Sequence, residues 1–292
     1  MSTSATAEER AALKIRPQEF QLICSMIYDN FGIDLNGKEV LVAARLGKQM
    51  RSLALDSIEE YCAFVQRDSS GEALSAMVDA LTTNHTSFYR EPQHFDFLRK
   101  VILPELNSAP EIRIWSSACS SGEEPYTIAF TAVDELGDRA FSRISILATD
   151  ISTQVLQAAQ RGVYPACRFE QMPVERLRCY LLKGSGESQG QFLVKKQIRS
   201  LITFQRLNLM EDFSRVGRFS VIFCRNVMIY FDRPTQQNLV NKLAHQLEPG
   251  GYLLIGHAES LNGIDHPLTY LHPAIYRKQE IAPRVPARRS TR

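Results

Sequence analysis

Four short stretches of this chain place polar side chains where an apolar run has just ended. The first is Ser116-Ser117-Ala118-Cys119-Ser120-Ser121-Gly122-Glu123-Glu124-Pro125, which follows the strand-like Ile112-Arg113-Ile114-Trp115. Small residues let backbone approach a ligand closely, and Pro125 suits the first turn of a helix. Two carboxylates at that entrance discourage a phosphate and favour a ligand carrying positive charge, although Glu also compensates a helix dipole there. The second stretch, Ala148-Thr149-Asp150-Ile151-Ser152, offers an acid where ribose hydroxyls commonly bind, or a cap for the next helix. In Arg206-Leu207-Asn208-Leu209, Asn208 can read the edge of an adenine or cap a turn. The fourth, Cys224-Arg225-Asn226-Val227-Met228-Ile229-Tyr230-Phe231-Asp232, sets a cation and an amide directly after Ser220-Val221-Ile222-Phe223.

Carboxylate, carboxylate, amide and Arg-Asn suit a nucleoside with a cationic or zwitterionic tail better than a phosphate ligand. S-adenosylmethionine has adenine, ribose, sulfonium and amino acid, and no phosphate. NAD is the alternative, weakened by the missing GxGxxG and by the acidic loop. The six cysteines, Cys24, Cys62, Cys119, Cys167, Cys179 and Cys224, form no CxxC, and no histidine stands at ligand spacing. No metal is expected; buried free thiols in a reducing compartment are.

These residues need a scaffold that brings strand ends together. From about residue 111, strand-like and helical segments alternate: strands near 112–115, 144–148, 201–205, 221–224 and 252–256, with helices near 126–136, 154–161 and 235–247. Alternation of this kind implies an α/β fold, a doubly wound, mostly parallel sheet whose ligands bind beyond the carboxyl ends of its strands. Segments 268–271 and 274–278 lie too close for an intervening helix and fit a terminal antiparallel hairpin. Glu248-Pro249-Gly250-Gly251 reads as a turn. A glycine-rich loop, 183–190, marks a small inserted β-subdomain at about 178–200.

Residues 1–81 carry no strand signal. Phe20, Ile23, Cys24, Ile27, Tyr28 and Phe31 follow a helical rhythm, as do Ile58, Tyr61, Cys62 and Val65, and Leu74, Met77, Val78 and Leu81. This is an all-helical N-terminal domain, joined by a linker and first helix, 82–110, to the α/β domain, 111–280. The Pro- and Arg-rich tail, 281–292, reads as disordered. Lys38, Arg45, Lys48 and Arg51 roughly share one face around the helix at 40–53, either a solvated surface or a docking face for an acidic partner.

Net charge is +2, with 44% apolar and 23% charged residues, which does not describe a nucleic-acid binder. The N-terminus lacks the apolar core of a secretory signal, and no apolar run approaches the roughly 20 residues of a membrane span. A cytoplasmic protein without membrane insertion is expected, and nothing calls for more than a monomer.

Leu81-Thr82-Thr83-Asn84-His85-Thr86-Ser87-Phe88-Tyr89-Arg90-Glu91 joins the two halves. Together with CSSGEEPYTIA, LATDIS, LNL and FCRNVMIYFD, in that order, it resembles the CheR family of chemotaxis receptor protein-glutamate O-methyltransferases. The resemblance runs from about residue 20 to 277. It implies S-adenosylmethionine as cofactor and, as substrate, glutamate side chains on the cytoplasmic helices of chemoreceptors, methylated during sensory adaptation with S-adenosylhomocysteine as by-product. By matching position, Asn84, Thr86 and Arg90 reach the cofactor, completed by Glu124, Asp150, Asn208, Leu209, Arg225 and Asn226. Arg90 and Tyr230 stand nearest the methyl group. It also implies receptor docking by Lys38, Arg45, Lys48 and Arg51, and resembles members whose β-subdomain takes a receptor C-terminal peptide by strand addition. The departures are His85 and Tyr89. A glutamate with an ordinary pKa of about 4.3 is ionised at neutral pH, so methyl transfer to it needs no base, metal or covalent intermediate. A methyltransferase for another carboxylate and a non-catalytic adaptor are the competing readings.

Overall fold

A computed structural model describes residues 15–82, 84–170 and 172–280; the tail read as disordered lies outside these. Four helices come first: α1 (Pro17–Phe31), α2 (Glu39–Ser52), α3 (Ile58–Arg67) and α4 (Glu72–Leu81). Each buries an apolar face, with Ile23, Ile27, Tyr61, Met77 and Val78 among the most deeply covered side chains, although Tyr28, counted in the α1 rhythm, is 42% exposed. Ser57 caps α3 by accepting from Glu60 N at 3.1 Å. Gly32 ends α1 with φ of 68°, and a Cβ there would sit 2.5 Å from Met210 Sδ. Only glycine meets both demands, so the α1 end can lie directly on the α/β domain.

The strands are β1 (Ile112–Ser116), β2 (Ile144–Asp150), β3 (Val163–Pro165), β4 (Leu181–Lys183), β5 (Gln191–Val194), β6 (Ile202–Arg206), β7 (Phe219–Cys224), β8 (Leu247–Ile255), β9 (Leu268–His272) and β10 (Ile275–Lys278). Seven of them form one sheet in the order β6-β2-β1-β7-β8-β10-β9. β6, β2, β1, β7 and β8 run parallel, and β10 and β9 close the edge as an antiparallel hairpin. The chain leaves β1 for β2 and β6, then returns to the other side of β1 for β7 and β8. The strand order therefore reverses between β1 and β7, where Ser116 pairs with Phe223. A crevice opens at such a switch point.

Alternate residues of these strands enter different cores, as the pleat requires. Trp115, Ile222, Cys224, Leu253 and Ile255 join the helical-domain side chains in one continuous cluster. Ile114, Val221, Phe223 and Leu254 pack on the opposite face with α5 (Glu123–Leu136), whose Ile128, Ala129 and Ala132 are wholly buried. The helical domain is thus packed against one sheet face through a shared core.

Two segments differ from their sequence reading. The inserted β-subdomain is a three-stranded sheet in the order β3-β5-β4, so it begins at Val163 and not near 178. β3 is three residues ending in Pro165, too short for alternation to reveal it, and residues 178–180 close a helix, Val174–Tyr180. Glu248-Pro249-Gly250-Gly251 lies inside β8, absorbed by a register shift opposite Phe219 and Val221, with Arg277 Nε donating to Gly250 O at 3.0 Å. Among the cysteines, Cys62, Cys119 and Cys224 are buried, whereas Cys167 and Cys179 are exposed.

Candidate active site

The crevice at the switch point is lined by Asn84, Thr86, Arg90, Glu124, Asp150, Asn208, Leu209, Arg225, Asn226 and Tyr230. The residues that end β1, β2, β6 and β7 form its floor, the linker after α4 supplies a wall, and Phe31 and Ile33 of the helical domain close another side. It is an open-mouthed crevice lined by both polar and apolar side chains. Of the paired glutamates, Glu124 lines the crevice. Glu123 is buried behind it, accepting from Ser121 Oγ at 2.6 Å with Arg168 at 3.6 Å. Gly122, φ 97°, makes the turn into α5, and a Cβ there would meet Ala159 Cβ and Tyr164 Oη at 2.8 Å.

Charge in the floor is organised around Arg225, only 5% exposed. Its Nη1 donates to Glu124 Oε2 at 2.7 Å and its Nη2 to Glu91 Oε2 at 2.9 Å and Arg90 O at 2.5 Å. Phe95 lies under the guanidinium, 5.4 Å from the ring centre. Arg225 Nε is buried without a partner. Burial works against the charge of Glu91, but hydrogen bonding and charge from Arg225, with donors from Asn226 and His257, hold its carboxyl below the ordinary range. Ser116 Oγ donates to Glu124 Oε1 at 2.7 Å.

Asp150 closes β2. Its Oδ2 accepts from Ser120 N at 2.8 Å and its Oδ1 from Ser152 N at 3.0 Å, while burial pushes its carboxyl up. The helix cap is Ser152, whose Oγ accepts from Val155 N at 3.2 Å at the start of the helix Thr153–Arg161. Tyr89, Glu91, Ser120 and Asn226 all have left-handed backbone without being glycine. For Tyr89, Glu91 and Ser120 such a conformation costs on the order of 1–3 kcal/mol, whereas asparagine adopts it readily.

Arg90 and Tyr230 face the same crevice from different segments. Arg90 Nη1 donates to His85 O at 2.7 Å, which ties the guanidinium to its own linker. Tyr230 closes the 3₁₀ turn Met228–Tyr230; its carbonyl accepts from Asp34 N at 2.8 Å, and Lys38 Nζ lies 5.8 Å from its ring centre. Asn84 presents its carbonyl to Ser120 Oγ at 3.0 Å, and the carbonyl of Thr86 accepts from Arg168 Nη1 at 3.0 Å. Leu209 is buried on the wall.

Two sequence expectations are refined by these contacts. Asn208 does cap a turn, its Oδ1 accepting from Met210 N at 3.0 Å, and its Nδ2 donates to Asn30 O at 2.7 Å. Its amide is therefore engaged in holding the end of α1 and is not free to read a base. The four cations near α2 are not equivalent either. Arg45 Nη1 donates to Leu81 O at 2.6 Å and Thr82 O at 3.0 Å, closing the end of α4, and Lys38 Nζ donates to Asp34 O at 2.7 Å. Lys48 and Arg51 are exposed.

Glu91, His94, His257 and Glu259 were given no role by sequence reasoning. His94 is 0% exposed, and burial first, then the charge of Arg225, pushes it down to about 3. Donor atoms of Glu91, His94 and His257 lie within 4.8 Å of one another. Arg225 already supplies the positive charge on Glu91 that a metal ion would bring there. The only local signal was Glu91 itself, beside Arg90 in the linker.

S-adenosylmethionine fits this donor set. Glu124 and Asp150 suit cationic and hydroxyl groups. Residues 84–275 match the family model described as CheR methyltransferase, SAM binding domain, and residues 18–82 that described as CheR methyltransferase, all-alpha domain. The chain is 40% identical to the chemotaxis protein methyltransferase of Borreliella burgdorferi over 91% of this chain and 96% of that protein. It is 40% identical to chemotaxis protein methyltransferase 2 of Pseudomonas aeruginosa, over 89% and 92%. With the chemotaxis protein methyltransferase of Escherichia coli it shares 34%, over 94% and 95%. The chain belongs to the CheR family of S-adenosylmethionine-dependent chemotaxis methyltransferases, whose α/β domain supplies the crevice and whose all-helical domain closes it.

Proposed function

We propose that the protein methylates specific glutamate side chains of chemoreceptors, giving glutamate methyl esters and S-adenosylhomocysteine. The observation that carries this reading is the meeting of Arg90 and Tyr230 with Glu124 and Asp150 in one crevice. When bound, the cofactor supplies an electrophilic methyl group on a sulfonium. An acceptor carboxylate is already ionised at neutral pH, so the side chains need only align it and keep water away. Alignment alone can supply on the order of 7–11 kcal/mol. Arg90 grips a carboxylate with its planar fork, and Tyr230 bounds the methyl pocket and offers a hydroxyl donor. Glu124 receives the positive end of the cofactor's amino acid, and Asp150 the ribose.

The substrate is an acidic helical bundle, and the exposed Lys48 and Arg51 on α2 are the cations free to meet it. The β-subdomain adds a second contact. β3 and β4 are the two edges of its sheet, and Leu182 of β4 is 51% exposed, which suits capture of a receptor C-terminal peptide by strand addition. The deciding experiment is labelled methyl transfer to purified receptor cytoplasmic domains, with and without their C-terminal tails, beside small carboxylates. Base-labile label on receptor glutamates supports the reading, and label confined to small carboxylates or to another protein replaces it.

A further inference from the structure

The segment that carries Arg225, Asn226 and Tyr230 is held by a residue thirty positions further on. Asn226 has left-handed backbone, φ 57°, and the 3₁₀ turn Met228–Tyr230 follows at once. The N–H groups of Asn226, Met228 and Ile229 thereby converge into a concave nest, the backbone arrangement that binds anions. The anion is internal. Glu259 Oε2 accepts from Asn226 N at 2.9 Å and from Gly256 N at 2.6 Å, and its Oε1 accepts from Met228 N at 2.7 Å and Ile229 N at 3.3 Å. A Cβ on Gly256 would lie 2.5 Å from Asn226 Nδ2 and 2.8 Å from Glu259 Oε2, so the loop after β8 closes on this segment without room for a side chain. The next residue, His257, donates its N–H to Glu91 at 3.2 Å, which joins the same loop to the linker carrying Arg90.

We infer that Glu259 is a positioning residue for methyl transfer: its carboxylate holds the 226–229 backbone in the turned form that brings Tyr230 to the methyl pocket. Both oxygens accept from two N–H groups each, so glutamine cannot replace it. Its amide would turn an NH₂ group onto one of the two pairs. The inference rests on the role of Tyr230 proposed above, and the experiment keeps the two apart.

The test is a double-mutant cycle of Glu259→Gln and Tyr230→Ala, scored by labelled methyl transfer to a receptor cytoplasmic domain and by calorimetric titration with S-adenosylhomocysteine. In the wild-type background Glu259→Gln should lower kcat by about 10²-fold, the loss expected of a small misplacement. The affinity for S-adenosylhomocysteine should fall by much less than turnover, by about tenfold at most, since Glu124 and Asp150 lie on other segments. In the Tyr230→Ala background the same substitution should lower kcat by less than about threefold, because the group it positions is gone. An equal loss in both backgrounds, or a loss of affinity as large as the loss of turnover, overturns the inference. A Tyr230→Ala enzyme with full turnover overturns the proposed role of Tyr230 instead. If Glu259→Gln fails to fold, Glu259→Asp keeps the charge, withdraws it by one methylene and should show the same coupling. Hydrogen exchange then reads the nest directly: the Met228 and Ile229 amides should lose protection in the variant while those of β7 keep theirs, and unchanged protection overturns the inference.

Discussion

Arg225 and Glu91 are 134 residues apart in the chain and meet at 2.9 Å beneath the crevice. The pair joins the end of β7 to the linker between the two domains, and Glu124 completes it from the first turn of α5. Removing Glu91 takes away one of the two carboxylates that compensate the buried Arg225 and leaves Glu124 as the other. Glu91→Gln should lower the free energy of unfolding by about 2 kcal/mol, the loss of a hydrogen bond to a charged group. Urea titration measures this, and an unchanged midpoint would mean that Glu124 alone balances Arg225.

Acid should weaken the same region in two steps. His94 is neutral in the folded state, down to about 3, whereas in the unfolded chain it titrates near 6.5. Between those values the unfolded chain binds the extra proton, so stability rises with pH and is lost as pH falls below about 6.5. From pH 7 to pH 5 the loss should be about 2 kcal/mol, read from urea midpoints. His94→Phe should flatten this slope. Glu91, held below its ordinary range, contributes stability present above the unfolded carboxylate pKa of about 4.3 and lost as pH falls through its folded value. Glu91→Gln should remove only this second, more acidic step.

Arg90→Ala should lower the rate of methyl transfer by about 10²-fold or more, in keeping with loss of an orienting charged contact. Initial rates with labelled cofactor measure it. Normal turnover together with intact S-adenosylhomocysteine binding would remove Arg90 from the chemistry.

The cations near α2 should separate into two classes. Lys48→Glu with Arg51→Glu should raise the KM for the receptor by about tenfold, leaving cofactor affinity and thermal stability unchanged. Arg45→Glu should instead cost about 1 kcal/mol of stability, because Arg45 closes the carbonyl end of α4. A thermal melt beside the kinetic assay distinguishes them.

The strand ends were legible because a parallel sheet advertises its ligand crevice by breaking an apolar run with polar residues, as at Asp150 and Arg225. The helical domain was legible from the spacing of Phe20, Ile23 and Ile27. What stayed hidden depends on partners far apart in the chain. Glu259 is an ordinary acid in a loop until its four backbone donors are brought around it. Asn208 had the right chemistry for a base, and only the approach of Asn30 shows its amide to be engaged. β3, three residues long, has no periodicity to read.

The core shared by the helical domain and the sheet gives the molecule one further property. α2 begins just after Lys38, whose ammonium rests near the Tyr230 ring, and α2 is anchored through Val42, Leu46 and Met50 in the same cluster as Trp115 and Ile222. The span from the exposed Lys48 and Arg51 to the crevice is therefore set by packed side chains and not by a hinge. For the helical substrate proposed above, which advances about 1.5 Å per residue, such a frame would work as a ruler: with the helix gripped at Lys48 and Arg51, it would admit side chains at one distance from the grip and pass over chemically identical ones a turn away.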